Sequence, residues 1–171
     1  MTIDVTIRPA RATDVPAIRG LVDPYAAERI LLAKEWVAYY ESLHDFTVAE
    51  HDGEIIGCGA LHVMWADLAE VRTLAVDKRF RGTGVGGMLL RELISRARDI
   101  DITRLFCLTF EVKFFTSHGF EAITGTPVSA EVFGELLRSP DDGIAEFLDL
   151  ARVKPNTLGN PRMLLDLAAQ A

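Results

Sequence analysis

The sequence has little cysteine, no long hydrophobic run and no excess of positive charge. Only two of its 171 residues are cysteines, Cys58 and Cys107, which argues against a framework of disulfide bonds and favours a reduced, cytoplasmic setting. The N-terminus lacks the apolar core of a signal peptide, and no apolar run approaches the length of a membrane span. The 18 basic residues are outnumbered by 25 acidic ones, and the net charge of −7 argues against a protein dedicated to nucleic acid or anionic membranes.

The composition is that of a folded domain. Hydrophobic residues make up 49% of the chain and charged residues 25%, close to the averages for globular proteins. The chain has no internal repeat and no low-complexity segment, and its length is that of one domain of roughly 100–200 residues. We therefore expect a single domain over residues 1–171.

The periodicity of apolar residues predicts a mixture of strands and helices. The predicted elements begin with a strand at 5–10, a helix carrying Val15, Ile18, Leu21 and Val22, a second helix from Ile30 to Leu43 and a hairpin around Asp52 and Gly53. Next come a strand from Glu70 to Val76 and a long amphipathic helix including Met88 to Ala97. The last elements are a buried strand at 103–110, a short helix at 112–118, a helical segment at 129–137 and a strand at 162–167. Strands outnumber helices, so an α+β sheet is expected.

The strongest local signal is a glycine-rich loop between a strand and a helix. The strand EVRTLAV is followed by DKRFRGTGVGG, whose glycines permit sharp turns and close approach to a ligand: Gly82, Gly84, Gly86 and Gly87. The next helix directs unpaired N–H groups and a partial positive charge at the same point, which suits a diphosphate. Arg79 and Arg81 add positive charge. The loop does not end in the Gly-Lys-Ser/Thr of a Walker loop, and the chain does not open with the βαβ unit of a dinucleotide fold. A purely structural turn remains an alternative.

This arrangement resembles the GNAT superfamily of acetyl-coenzyme A-dependent N-acetyltransferases. The family's pyrophosphate pattern, Arg/Gln-x-x-Gly-x-Gly/Ala, is matched by Arg81, Gly84 and Gly86. EVRTLAVDKRFRG resembles the family's fourth strand with its loop, and FFTSHGF resembles its helix ending in Gly-Phe. The resemblance implies a mixed, mostly antiparallel central sheet flanked by helices, with the pyrophosphate loop between strand 4 and helix 3. It also implies acetyl-CoA as cosubstrate.

Within the superfamily, four segments over the central half of the chain resemble the acetyltransferase domain of N-acetylglutamate synthases: EHDGEIIGCGAL, AEVRTLAV, RLFCLTF and FFTSHGF. Most such enzymes carry an amino-acid-kinase domain upstream, so we expect a short, stand-alone form. The implied activity is α-N-acetylation of glutamate or glutamine, as the first step of arginine biosynthesis. Two alternatives are a GNAT enzyme for another amine (a peptide N-terminus, a polyamine or an antibiotic) and a non-catalytic acyl-CoA sensor.

Two residues are the predicted catalytic groups. Glu70 falls where the synthases have their proposed general base, and it would take the amine proton directly or through a water molecule. Many GNAT enzymes protonate the departing thiolate with a tyrosine, but Phe114 and Phe115 occupy that region here. The resemblance implies a substitute hydroxyl at the end of the next strand, where Thr109 stands. The alternatives are a solvated strand glutamate and a threonine bonded to its own backbone.

The predicted cofactor-binding residues are the pyrophosphate loop, the edge of the strand before it and one aromatic residue of the short helix: Leu74, Ala75, Val76, Arg81, Gly82, Thr83, Gly84, Val85, Gly86 and Phe115. For the substrate carboxylates we expect Lys34 in the second helix and Arg162 at the start of the last strand to hold from two sides. Arg72 shares a strand face with Glu70. Asn160 stands where the synthases have a basic pair, and its amide could accept glutamine. The segment 126–161 is expected near the substrate site.

Other chemistries have less support. The four histidines are scattered without the spacing of metal ligands, so no metal is expected. His62 lies in an apolar strand and is better explained as a core or pocket-wall residue than as a base. Cys107 is better explained by packing than as a nucleophile. The expected partner is a small amino acid, with neither nucleic acid nor membrane, and a homodimer is left open.

Overall fold

The computed structural model describes residues 3–28, 30–31, 34–153 and 160–170. In this part of the chain seven strands form the sheet: β1 (Thr6–Pro9), β2 (Phe46–His51), β3 (Glu54–Trp65), β4 (Leu68–Val76), β5 (Arg104–Leu108), β6 (Glu121–Ala122) and β7 (Arg162–Asp166). The helices are α1 (Val15–Ala27), α2 (Trp36–Glu41), α3 (Val85–Asp99), α4 (Val112–Ser117), α5 (Ala130–Leu136) and α6 (Asp142–Phe147). The strand order is β1-β2-β3-β4-β5-β7-β6. β2 pairs antiparallel with β1 and β3, and β7 pairs antiparallel with β5 and β6. The predicted α+β sheet is confirmed.

The chain divides into two compact units. The first unit is Met1–His62 with Glu70–Asp101, and the second unit is Val63–Ala69 with Ile102–Ala171. The single domain expected over 1–171 stays a prediction. Among the described residues, no helix combines the length and the apolar character needed to cross a membrane.

Two clusters of described residues belong to the core of the first unit. The apolar face of α1 packs with residues of α2, β2, β3 and β4: Val15, Ile18, Leu21, Val22, Tyr39, Phe46, Val48, Cys58, Ala60 and Ala75. A second cluster joins the start of α3 to the strands: Ala49, Ile56, Val85 and Leu89. Burial of these side chains stabilises the unit, since each fully buried aliphatic side chain contributes about 1.5–3 kcal/mol.

Helix α3 lies close against the backbone of β3. A Cβ atom added at Gly57 would lie 2.9 Å from Cδ1 of Leu89, and one added at Gly59 would lie 3.0 Å from Cδ1 of Leu93. Both leucines belong to α3 and are fully buried. Glycine at these two positions therefore lets α3 approach the strand.

The second unit has its own core, built from the 63–69 segment, β5 and the two short helices α5 and α6: Met64, Leu68, Phe106, Leu136, Ile144, Phe147 and Leu148. The side chain of Ser129 accepts a hydrogen bond from the N–H of Val132, and that of Asp141 accepts one from Ile144. These N-caps satisfy backbone donors that have no partner within their helices, so they fix where α5 and α6 begin.

The second predicted helix is wrong in its extent. Ile30 to Leu43 was expected to be helical, but α2 begins at Trp36 and ends at Glu41, after an extended Glu35. Lys34 therefore precedes the helix instead of lying on it. Leu32 and Ala33, which the predicted helix included, lie outside the described part of the chain.

Three other elements differ from the expectations. β4 begins at Leu68, directly after a turn that joins it to β3. The two-residue strand β6 was not predicted. Helix α6 was also missed, although Asp141 is a typical N-cap, because a proline and a glycine in this stretch suggest a loop.

Candidate active site

The loop that leads from β4 to α3 turns twice through left-handed glycines. After β4 ends at Val76, the Asp77 carboxylate accepts the N–H of Arg79 at 2.8 Å and begins a 3-10 turn over Lys78–Phe80. Gly82 has a φ of 78° and Gly84 a φ of 91°, and Gly84 is the N-cap of α3. Residues with a Cβ atom rarely adopt this conformation, at a cost of roughly 1–2 kcal/mol.

The glycines also leave space beside the loop. A Cβ atom built at Gly82 or at Gly84 would meet no other atom within 4 Å. The 15-residue helix α3 begins at the next residue, and its first N–H groups have no intrahelical acceptor. Open space, exposed backbone and the positive end of a helix dipole together fit a diphosphate group.

Two arginines of this loop are held in different ways. Arg79 forms ion pairs with Asp77 and Glu54, and the Arg79 guanidinium holds the pKa of the Asp77 carboxyl below its usual value. Arg81 instead donates from Nη2 to the hydroxyl of Tyr25 at 3.2 Å. The charge of Arg79 is therefore balanced by carboxylates, whereas the Tyr25 hydroxyl is a neutral partner for Arg81.

The predicted base lies on β4, the strand that ends at this loop. Glu70 is only 5% exposed, and its Oε2 accepts a hydrogen bond from Nη2 of Arg72 at 2.8 Å. The alternative of a solvated strand residue does not describe this position, because the carboxylate is buried and paired. A buried carboxylate beside a cation can accept a proton from a substrate amine if the amine reaches it.

Lys34 and Thr73 form a second contact in the same unit. Nζ of Lys34 donates to Oγ1 of Thr73 at 3.3 Å, and it lies 5.9 Å and 5.6 Å from the ring centroids of Tyr39 and Phe46. Thr73 is buried on β4 with a φ of 57°, which is unusual for a β-branched residue. Cys58 donates from its Sγ to the carbonyl oxygen of Thr73 at 3.5 Å. Strained backbone of this kind is concentrated at functional sites.

The other predicted site residues belong to the second unit. Thr109 follows β5 directly and is buried, and its Oγ1 accepts the N–H of Glu111 at 2.8 Å. A hydroxyl that accepts one hydrogen bond can still donate through its own proton. Phe115 is buried on α4, with ring centroids 5.2 Å from Phe114 and 5.1 Å from Phe120.

Arg162 and Asn160 have different surroundings. The Arg162 guanidinium donates to the carbonyl oxygens of Gly125, Glu146 and Phe147, and lies 4.9 Å from the ring centroid of Phe106. These contacts favour a structural role, and the binding of a carboxylate by Arg162 stays a prediction. The Oδ1 atom of Asn160 is buried and has no hydrogen-bond partner among the described residues.

The sequence analysis gave no role to Tyr25 or Thr73, which contact the predicted site residues Arg81 and Lys34. Tyr25 carries no motif signal, and the threonine on β4 gives no sign of its left-handed backbone. Among the described residues, no group of three histidine, cysteine or acidic side chains could hold a metal ion. Burial raises the pKa of the Cys58 thiol to about 12.

A buried acid on β4 and a glycine-turned loop at the start of α3 define the class of protein, and the family comparison agrees. Residues 16–120 match the model of the acetyltransferase (GNAT) family, so this chain belongs to that family. It is 56% identical over 164 residues to an amino-acid acetyltransferase of Mycobacterium tuberculosis, covering 94% of each chain.

Two solved structures extend the comparison. A Mycobacterium tuberculosis protein in complex with CoA has a TM-score of 0.92 at 56% identity, with 95% of this chain and 99% of that chain covered. N-acetylglutamate synthase from Neisseria gonorrhoeae, complexed with CoA and N-acetyl-glutamate, has a TM-score of 0.77 at 27% identity, covering 98% of this chain and 36% of that one. The chain thus spans about a third of the Neisseria enzyme. The predicted family, the enzyme class and the use of CoA are confirmed.

Proposed function

We propose that this protein transfers the acetyl group of acetyl-CoA to the α-amine of glutamate or glutamine, as the first step of arginine biosynthesis. The observation that carries the proposal is that one strand, β4, holds the buried Glu70 carboxylate and leads into a loop that fits a diphosphate. The 56% identity to an amino-acid acetyltransferase over nearly the whole chain supports the class of amine.

The loop from Arg81 to Gly86 would hold the diphosphate, and the edge of β4 from Leu74 to Val76 would lie along the pantetheine arm. When bound, acetyl-CoA supplies a thioester whose carbonyl carbon accepts the amine. Glu70 takes the proton from the substrate ammonium, directly or through water, so the transfer needs no acetylated enzyme. We assign to the Thr109 hydroxyl a hydrogen bond to the departing thiolate, which stabilises the developing charge.

An amino-acid substrate presents carboxylates and, in glutamine, one amide. Lys34 and Arg72 are the cations of the first unit that we assign to carboxylates; Lys34 donates to the Thr73 hydroxyl, and Arg72 lies beside the proposed base Glu70. The unsatisfied Oδ1 of Asn160 supports glutamine, because an amide N–H of the substrate would supply the missing hydrogen bond. Arg162 stays a proposed carboxylate ligand with the weakest support.

The setting and assembly are part of the proposal. A cytoplasmic location is supported by two buried cysteines that are not joined in a disulfide bond. The homodimer stays a prediction, and sedimentation velocity tests it.

The test is a thiol-release assay with acetyl-CoA and separate glutamate, glutamine, polyamine, peptide and aminoglycoside substrates, with products identified by mass spectrometry. We expect N-acetylglutamate or N-acetylglutamine as the main product. Acetylation of another amine alone would replace the substrate assignment. Binding of acetyl-CoA by calorimetry without turnover of any amine would instead indicate a sensor.

A further inference from the structure

One tyrosine of the first helix joins the end of β4 to the arginine of the loop. Tyr25 lies in the last turn of α1. Its hydroxyl donates to the carbonyl oxygen of Val76 at 2.7 Å and accepts from Nη2 of Arg81 at 3.2 Å. The carbon at the centre of the Arg81 guanidinium lies 5.4 Å from the centroid of the tyrosine ring.

These contacts restrict the conformations of the Arg81 side chain. Arg81 is exposed, and a long exposed side chain pays an entropic cost when a ligand fixes it. A side chain that is already held pays less of this cost on binding. A tyrosine hydroxyl is a neutral acceptor, so this hydrogen bond orients the guanidinium without placing a negative charge beside it. The carboxylate partners of Arg79, in contrast, balance the charge that they hold.

The second hydrogen bond fixes the same hydroxyl to the main chain. Because Tyr25 donates its only hydroxyl proton to Val76, its oxygen lone pairs point away from that carbonyl and are available to Arg81. The Tyr25 hydroxyl is thus anchored to Val76, the last residue of β4. Arg81, which the hydroxyl positions, lies five residues further on, in the loop.

We propose that Tyr25 is a positioning residue for the diphosphate of the acetyl donor, acting by holding Arg81 in its binding orientation before CoA arrives. The inference rests on the proposed placement of the diphosphate at the loop. It assigns to α1 a part in donor binding that the pattern of the loop does not contain.

The experiment is a double-mutant cycle read by calorimetry with CoA. Tyr25→Phe keeps the ring and removes both hydrogen bonds, and we expect the Kd for CoA to rise about threefold to tenfold. In an Arg81→Ala background the same change should have no further effect, since the arginine that it positions is gone. Tyr40→Phe is the matched control, because Tyr40 is an exposed tyrosine of α2. This variant should bind CoA with the affinity of the wild type.

A truncated donor separates positioning from a general loss of structure. S-acetylpantetheine has no diphosphate, so kcat/KM with it should be the same for Tyr25→Phe and for the wild type. An unchanged or tighter Kd for CoA in Tyr25→Phe, an additive loss in the double variant, or an equal loss with S-acetylpantetheine would overturn the inference. If Arg81→Ala alone leaves CoA binding unchanged, the placement of the diphosphate itself is wrong, which is a failure of the proposed function.

Discussion

The role of Glu70 can be tested with a substitution that keeps its shape. Glu70 and Arg72 form a buried ion pair, with side chains 7% and 12% exposed and a distance of 2.8 Å between Oε2 and Nη2. Replacing Glu70 by alanine would leave the guanidinium without this partner, which typically costs 3–5 kcal/mol of about 5–15 kcal/mol total stability. Glu70→Gln keeps an oxygen atom that can accept from Arg72 while removing the basic carboxylate.

The expected losses differ in size for stability and for catalysis. A hydrogen bond to a charged acceptor is worth about 1.5–3 kcal/mol and a neutral one about 0.5–1.5 kcal/mol, so Glu70→Gln should cost about 1 kcal/mol of unfolding free energy. For a chain of this length this lowers the Tm by about 2–4 °C. Loss of a general base should lower kcat by about 10²–10⁴-fold, which corresponds to about 3–5 kcal/mol in the barrier.

The assay is thiol release with saturating acetyl-CoA and the amino acid established for the wild type, together with calorimetry for CoA. We expect the Kd for CoA to be unchanged. The matched control is Glu50→Gln, which weakens another carboxylate–arginine pair in the same unit, at 2.8 Å from Arg8, and should leave kcat unaffected. A kcat for Glu70→Gln within tenfold of the wild type would show that Glu70 is not the base. An acetyl group recovered covalently on the enzyme would exclude direct transfer.

Three further predictions concern the loop, the thiols and the acid stability. Gly84→Val should abolish CoA binding in calorimetry, because the added side chain would fill the open space proposed for the diphosphate. The fold should be retained in circular dichroism, because no protein atom occupies that space. Wild-type affinity would contradict this. Cys58 and Cys107 are fully buried, so Ellman's reagent should titrate no thiol in the native protein and two after denaturation; a reactive native thiol would show an access path. Asp14 accepts from Arg8 at 2.8 Å, and this arginine holds the pKa of the carboxyl below its usual value. Its contribution is therefore present above pH about 4 and is lost as the pH falls further. Asp14→Asn should lower the free energy of unfolding by about 1 kcal/mol at pH 7, the difference between a charged and a neutral acceptor, and this difference should shrink in acid; a difference independent of pH in denaturant titrations would contradict this.

The loop could be predicted because its signal is local. A left-handed turn favours glycine at the position itself, so Gly82 and Gly84 are visible in the sequence alone. The position of Glu70 on the strand before the loop could be predicted for a similar reason, since the two are adjacent in the chain, but its role as a base stays a prediction. The resemblance to GNAT enzymes added the role of the carboxylate, which no local rule contains.

Contacts between residues far apart in the chain could not be predicted. Lys34 and Thr73 are 39 positions apart, and Tyr25 is 56 positions from Arg81. Such pairs depend on the tertiary arrangement and not on periodicity. The left-handed φ of Thr73 contradicts the preference of threonine, and tertiary contacts override such preferences.

The error in the second helix has a physical cause. Trp36, Val37 and Tyr40 are large apolar residues of the predicted helix, but they are 47%, 60% and 49% exposed, while Tyr39 is the buried residue. Large apolar side chains are often exposed on folded proteins, so their spacing marks a core face only when burial follows. The predicted helix therefore extends beyond Trp36–Glu41, whereas the described residues 30–31 and 34–35 before it are not helical.

The close packing of α3 against β3 has a consequence for anyone who alters the affinity of this fold for its acetyl donor. Gly57 and Gly59 lie on a strand that supplies no proposed ligand contact, yet a methyl group at either position would press on fully buried leucines of α3. To relieve these contacts the leucines must change rotamer or α3 must shift, and a shift of α3 reaches the loop because its first residue adjoins Gly84. Random mutagenesis should therefore find alanine substitutions on β3 that weaken donor affinity without touching the donor. The same two positions are where a designer could shift the loop by small steps to change how it holds the diphosphate.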